Sequence, residues 1–291
     1  MGHTVMRRLG LAVVAGAILA ASACGSSSSE TPAPSSGTAT PLSLQASEYS
    51  FGGLPSTVSA GLVNLQLHNT GKEAHEAQLL TIDSGHTGDE LIKVASAPNS
   101  PPPTWVHGAG GPAATVAGGQ TSVSQVLTPG TYYFLCLIPG ADNVPHTAKG
   151  MHTTLTVTGS SGRALPPSAD TTVVAKEYSF EAPPTLKVGT TTIGVRNDGP
   201  RQLHEWGLIK LAPGFTVDKL KAALASNGPP PPGPPPFTEM GGVAAYDRGG
   251  TATFTADLQS GNSYAFICFV PDHEGGPPHA AKGMIRGFTA G

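Results

Sequence analysis

Charge is scarce in this chain of 291 residues: only 12% are Asp, Glu, Lys or Arg, and the formal net charge is −3. No basic stripe is present to meet a phosphate backbone, which excludes nucleic acid as a partner. The apolar run LGLAVVAGAILAA near the N-terminus is short and rich in small residues, less than a membrane-spanning helix requires. Neither GxSxG nor HExxH occurs, so no nucleophile elbow and no zinc-hydrolase helix is encoded. His-x-His pairs are missing as well, and cysteine is nearly so, with three in all. In excess are glycine, 38, and proline, 28. Both interrupt helices and suit many short strands joined by turns.

The N-terminus reads as a targeting segment rather than as fold. Arg7 and Arg8 precede the apolar run, which ends Ala21-Ser22-Ala23-Cys24-Gly25. That ending resembles a bacterial lipoprotein cleavage box, with residues 1–23 as signal peptide and Cys24 as the lipidated residue. Ala21 departs from the usual Leu, and ordinary signal cleavage is the alternative. The resemblance implies an exported protein anchored to the outer face of the cytoplasmic membrane, where several acyl chains hold more firmly than one. GSSSSETPAPSSGTATP then reads as a flexible tether over 24–42. With Cys24 claimed by lipid, Cys136 and Cys268 remain, one in each half. Two unpaired thiols in an oxidising compartment are a liability unless something holds them, and a metal would do so.

The halves repeat one another. SEYSF at 47–51 matches KEYSF at 176–180, Asn69-Thr-Gly71 matches Asn197-Asp-Gly199, and His75-Glu76 matches His204-Glu205. Gly110-Gly111 and Gly118-Gly119 match Gly241-Gly242 and Gly249-Gly250. A period this long means duplicated domains rather than a solenoid. The expected domains are 43–158 and 171–290, joined by a linker over 159–170. Val63, Leu65 and Leu67 alternate with polar neighbours, as do Ala252, Phe254, Ala256 and Leu258; period-two alternation predicts strands with one face on a core. One short helix interrupts each half, predicted after Thr87, which opens a capping box with Glu90, and after Thr216. Proline-rich PNSPPPTW and GPPPPGPPPF follow them and read as stiff loops, with recruitment of a proline-binding domain as the alternative. The fold class is therefore all-β: two tandem Greek-key sandwiches, each with a helix insertion.

Each half closes on the same sequence. YYFLCLIPGADNVPHTAKGM and YAFICFVPDHEGGPPHAAKGM both run from an aromatic strand through a Cys to a His and a Met. With the earlier His of each half, the sets are His75, Cys136, His146, Met151 and His204, Cys268, His279, Met284. Two imidazoles, one thiolate and a weak thioether make up the donor set of a type 1 (blue) copper site, expected here as two copper ions per chain. His273 competes with His279, since it lies closer to Cys268; its counterpart near residue 141 is not a histidine, which favours His279. Tyr132, Phe134, Tyr264 and Phe266 read as core packing, as do Trp105 and Trp206. The unmatched His68, His86, His107 and His152 read as surface residues.

At these motifs both halves resemble the cupredoxins, the plastocyanin and azurin superfamily. The resemblance implies copper near one end of each sandwich and a role in one-electron transfer. It also points to outer residues at the site: Asn69 and Asn197 before the first His, and Glu76 and Glu205 after it, as acceptors that orient the imidazole or as solvated surface glutamates. One departure is the long loop, with nine residues between Cys136 and His146 and ten between Cys268 and His279. The expected function is a non-enzymatic electron carrier serving redox partner proteins in or at the membrane. Alternatives are copper storage or delivery, a metal-free interaction module, and a two-domain multicopper oxidase-like enzyme. The missing His-x-His pairs count against the enzyme.

Overall fold

The computed structural model describes residues 38–97, 101–160, 165–225 and 235–291. The signal peptide, Cys24, most of the tether and parts of the linker and of both proline-rich stretches lie outside the described residues. No helix among the described residues is long and apolar enough to cross a membrane.

Each half is a two-sheet Greek-key sandwich, as the alternation predicted. In the first half one sheet orders its strands Ser50–Gly52, Thr40–Ser47, Gly61–Asn69, Gln120–Leu127. The other orders Thr57–Ser59, His152–Thr158, Gly130–Leu135, Gln78–Ile82, Val106–Gly108. The second half repeats this with Ser179–Glu181, Thr171–Lys176, Gly189–Asn197, Thr251–Leu258 against Thr185–Leu186, Ile285–Ala290, Ser263–Ile267, His204–Leu211, Phe237–Tyr246. The first strand begins at Thr40, inside the stretch read as tether, because Leu42 and Leu44 already alternate into the core.

Period-two patterning does the packing. Val63, Leu65 and Leu67 are fully buried against Leu44, Phe134 and Leu155. Ile193, Phe254, Leu258, Phe266 and Trp206 fill the second core, where Trp206 Nε1 donates to the Val173 carbonyl. Both helices form where capping predicted them. Thr87 and Glu90 make the reciprocal capping box of Gly88–Ala95, which buries Leu91. Thr216 Oγ1 accepts from the Lys219 N–H at the start of Val217–Ala225, which buries Leu220.

The halves meet about a local two-fold axis. Strands Gln120–Leu127 and Thr251–Leu258 pair antiparallel at Val123↔Phe254 and Ser124↔Thr253, fusing one sheet of each half into an eight-stranded sheet. A second antiparallel ribbon pairs Ala109↔Tyr246, Pro112↔Val243 and Thr115↔Met240. Pro112 and Val243 are repeat-equivalent, so the ribbon pairs a segment with its own duplicate, as at an isologous dimer interface. The repeated glycine pairs make this possible. Gly111 and Gly242 have positive φ, 99° and 114°. A Cβ would stand 2.2 Å from the Ala77 carbonyl oxygen in one case and 2.0 Å from that of Trp206 in the other. Gln78 adds a peptide-like pair, its Nε2 donating to the Ala245 carbonyl (2.9 Å) while its Oε1 accepts from the Ala245 N–H (2.7 Å). His107, read from sequence as a surface residue, spans the interface: Nδ1 lies 2.9 Å from Asp247 and Nε2 2.9 Å from Asp83.

Candidate metal centres

The first histidine of each set stands beside the interdomain ribbon. His75 exchanges backbone hydrogen bonds with Thr115 (3.1 and 3.0 Å), and His204 pairs with Tyr246. The cysteine follows the aromatic strand; Cys136 N–H donates to the Met151 carbonyl (3.2 Å), and Cys268 N–H to that of Met284 (3.3 Å). Between Cys and Met the long loop folds back on itself. His146 N–H donates to Ile138 and Thr147 N–H to Cys136; His279 and Ala280 do the same to Val270 and Cys268. The extra loop residues therefore bulge outward, and the second His returns beside the Cys.

Three donors converge in each half, all from fully buried residues. In the first, His75 Nδ1 lies 3.1 Å from His146 Nδ1, and Cys136 Sγ lies 3.4 Å from His146 Nδ1 and 3.8 Å from His75 Nδ1. A triangle with these sides has its centre about 2.0 Å from every corner, close to the ~2.0–2.3 Å of metal–imidazole and metal–thiolate bonds. The second half reproduces it: His204 Nδ1 to His279 Nδ1 is 3.2 Å and Cys268 Sγ to His279 Nδ1 is 3.4 Å. Met151 and Met284 are fully buried in the same cores as Cys136 and Cys268. Two imidazoles and a thiolate at these distances, with a buried methionine from the same loop, fit copper.

Electrostatics favour the metal-binding protonation state of the imidazoles. Burial pushes all four below the ordinary histidine value, His204 to about 3 and His279 to about 4, with the facing His146 adding to the effect at His75 and His279 adding at His204. Neutral imidazole is the ligand form. Burial raises both thiols, Cys136 and Cys268, so a thiolate there needs a cation beside it. His279 Nε2 donates to Gln202 Oε1 at 2.7 Å, which leaves Nδ1 unprotonated and facing Cys268. In the first half the equivalent group is a carboxylate, Glu73 Oε2, 2.8 Å from His146 Nε2.

His273, the competitor for the second site, stays at the surface beside Asp272 and Glu274. Asn69 and Asn197 make no hydrogen bond to either imidazole among the described residues. Each is buried and braces the loop before the first His: Asn69 Nδ2 donates to the Glu73 and Thr115 carbonyls, and Asn197 Nδ2 to those of Gln202 and Tyr246. Neither Glu76 nor Glu205 hydrogen-bonds an imidazole; Glu76 is buried and Glu205 half-buried. Glu76 Oε1 accepts from the Leu137 N–H (3.1 Å), and Glu205 Oε1 from that of Phe269. Successive residues of an extended chain project to opposite faces, so each Glu points away from its neighbouring His and holds the residue after the Cys.

Sequence reasoning assigned no role to the tyrosine of EYSF or the lysine of AKGM, though both recur. Tyr49, in a turn with φ 61°, sets its ring 5.0 Å from that of His146. Lys149 lies 4.5 Å over that tyrosine and donates to its hydroxyl and to Asp142. Tyr178, Lys282 and His279 repeat this. Burial alone would raise Asp272, but hydrogen bonds from Lys282 and Tyr178 hold it well below the usual carboxylate range. Gly71 and Gly199 lie over the first His of each site; a Cβ at either would meet the imidazole Nε2 at 2.8 Å.

No protein-family model and no curated protein matches the chain. Solved structures similar to it include a dithionite-reduced auracyanin from the photosynthetic bacterium Roseiflexus castenholzii, 26% identical over 42% of this chain and 100% of that one, TM-score 0.30. Another is auracyanin A from Chloroflexus aurantiacus, a "blue" copper protein, 18% identical over 40% and 99%, TM-score 0.30. A copper nitrite reductase from Nitrosomonas europaea is 14% identical over 87% and 94%, TM-score 0.25.

Proposed function

We propose that this protein is an electron carrier with two mononuclear type 1-like copper centres, one in each cupredoxin-like domain. The observation that carries the reading is the duplicated triangle of two Nδ1 atoms and one Sγ, sized for a metal at its centre. Copper supplies the one-electron couple, and the chain supplies its constancy. Burial keeps the imidazoles neutral, Gln202 fixes the tautomer of His279, the donors are sealed from water, and backbone hydrogen bonds anchor the ligands. A site that cannot rearrange between oxidation states has little reorganisation to undergo on electron transfer.

The lipoprotein-like N-terminus supports anchoring at the outer face of the cytoplasmic membrane, with redox proteins in or at that membrane as donor and acceptor. Copper storage or delivery would use the same donors. Repeated spectroelectrochemical cycles separate the two. A carrier returns its full visible absorption after each cycle with no copper in the filtrate, whereas copper lost on reduction contradicts electron carriage.

A further inference from the structure

A cavity of about 520 Å³ lies where the two domains meet, a size typical of small-molecule sites, roughly 300–1,000 Å³. Equivalent residues of the two halves line it, among them Ile138 and Val270, Pro139 and Pro271. The wall is mostly apolar and interrupted by three carboxylates, Glu76, Glu205 and Glu239. Among the described residues no Lys, Arg or His lines it.

Negative charge gathers there with little to offset it. Glu76 is buried while Glu205 and Glu239 are half-buried, and a single backbone N–H meets each of Glu76 and Glu205. Glu239 has no hydrogen-bond or ion-pair partner among the described residues. Burial raises Glu239 above the usual carboxylate value. Like charges held close together on an apolar wall repel one another, and a cation in the cavity would relieve that repulsion.

The spacing decides what kind of cation fits. Among the described residues, the acidic, His and Cys groups whose donor atoms gather within 4.8 Å are the two His/Cys/His triads alone. The three glutamates do not converge on one point, as a bare metal ion would need. They share a mostly apolar wall instead, which suits a charged group carried on a hydrophobic body.

We propose that the interdomain cavity binds a small organic cation, an ammonium group on an apolar frame, with Glu239, Glu76 and Glu205 as its countercharges. The cavity is separate from the metal triads, so this does not depend on the copper assignment.

Calorimetric titration of the full copper-loaded chain tests it, with benzylammonium as probe and benzyl alcohol as neutral isostere. The cation should bind about tenfold or more tighter than the alcohol, as charge-assisted hydrogen bonds imply. Glu239→Gln should weaken the cation by a similar factor and leave the alcohol unchanged. An unchanged visible spectrum on titration shows that the amine has not displaced a copper ligand. A cooperative thermal transition at or above the wild-type melting temperature shows that the variant is folded. Equal binding of both probes, no binding of either, or indifference to Glu239→Gln overturns the proposal. A chain that fails to turn blue but still selects the cation overturns the copper reading and leaves this one standing.

Discussion

The two centres differ most at the outer nitrogen of the second histidine, and that difference predicts unequal reduction potentials. His146 Nε2 faces the Glu73 carboxylate at 2.8 Å, whereas His279 Nε2 faces the Gln202 amide oxygen at 2.7 Å. A full negative charge favours Cu(II) over Cu(I). At about 6 Å across the imidazole and an effective dielectric of about 20, one charge is worth roughly 3 kcal/mol. Glu73 is 36% exposed, so screening lowers this to about 1–2 kcal/mol. At about 59 mV per tenfold change, the first site should lie some 40–90 mV below the second. Glu73→Gln should raise the first potential by about that amount, and Gln202→Glu should lower the second. Single-site proteins made with Cys268→Ser or Cys136→Ser allow each to be titrated alone by spectroelectrochemistry. Equal potentials, or the reverse order, would refute the electrostatic reasoning.

Other consequences are as direct. Cys136→Ser and Cys268→Ser should each remove one of two coppers, read by metal analysis; loss of both from either variant would contradict independent sites. Gly199→Ala should weaken copper at the second site alone, because its Cβ meets His204 Nε2 at 2.8 Å, at a stability cost of about 1–3 kcal/mol. Gly242→Ala should cost at least as much in thermal unfolding, through the clash with the Trp206 carbonyl oxygen. His107 is raised by its hydrogen bond to Asp83 and, after the opposing effect of burial, by that to Asp247. Its contribution to stability is therefore complete below the unfolded value, about 6.5, and fades as pH rises through the raised folded value. The melting-temperature gap between wild type and His107→Gln should be larger at pH 5.5 than at pH 9; a constant gap would show that protonation plays no part. Both flanking pairs are partly exposed, so the effect should stay below about 1 kcal/mol.

Local patterns in the sequence foretold local structure well. Alternation gave the strands of Val63–Leu67 and Ala252–Leu258, and side-chain chemistry gave the Thr87 cap. Duplication gave the pairing of His75 with His204 and of Cys136 with Cys268, and it pointed to His279 over His273. Contacts set by long-range register were not legible. Gly110-Gly111 and Gly241-Gly242 were visible as matches, but only the two-fold ribbon shows why a Cβ is excluded there. For Glu76 and Glu205 the sequence left imidazole acceptor and solvated glutamate both open; neither includes the residue after the Cys, which each accepts from because an extended backbone sends adjacent side chains apart. His107 lacked a duplicate and so looked incidental; its partners lie 24 and 140 positions away. For Tyr49 and Lys149 the signal was their recurrence as Tyr178 and Lys282, which residue type alone did not translate into packing on an imidazole.

The central claim is that each half holds a copper ion on two imidazoles and a thiolate. It is tested most directly by the visible spectrum of the copper-reconstituted protein, recorded with copper stoichiometry on the same sample. The account predicts an intense thiolate-to-copper band at two coppers per chain, bleached by reductant and restored by oxidant. Two coppers bound without that band, or no copper retained, would contradict it.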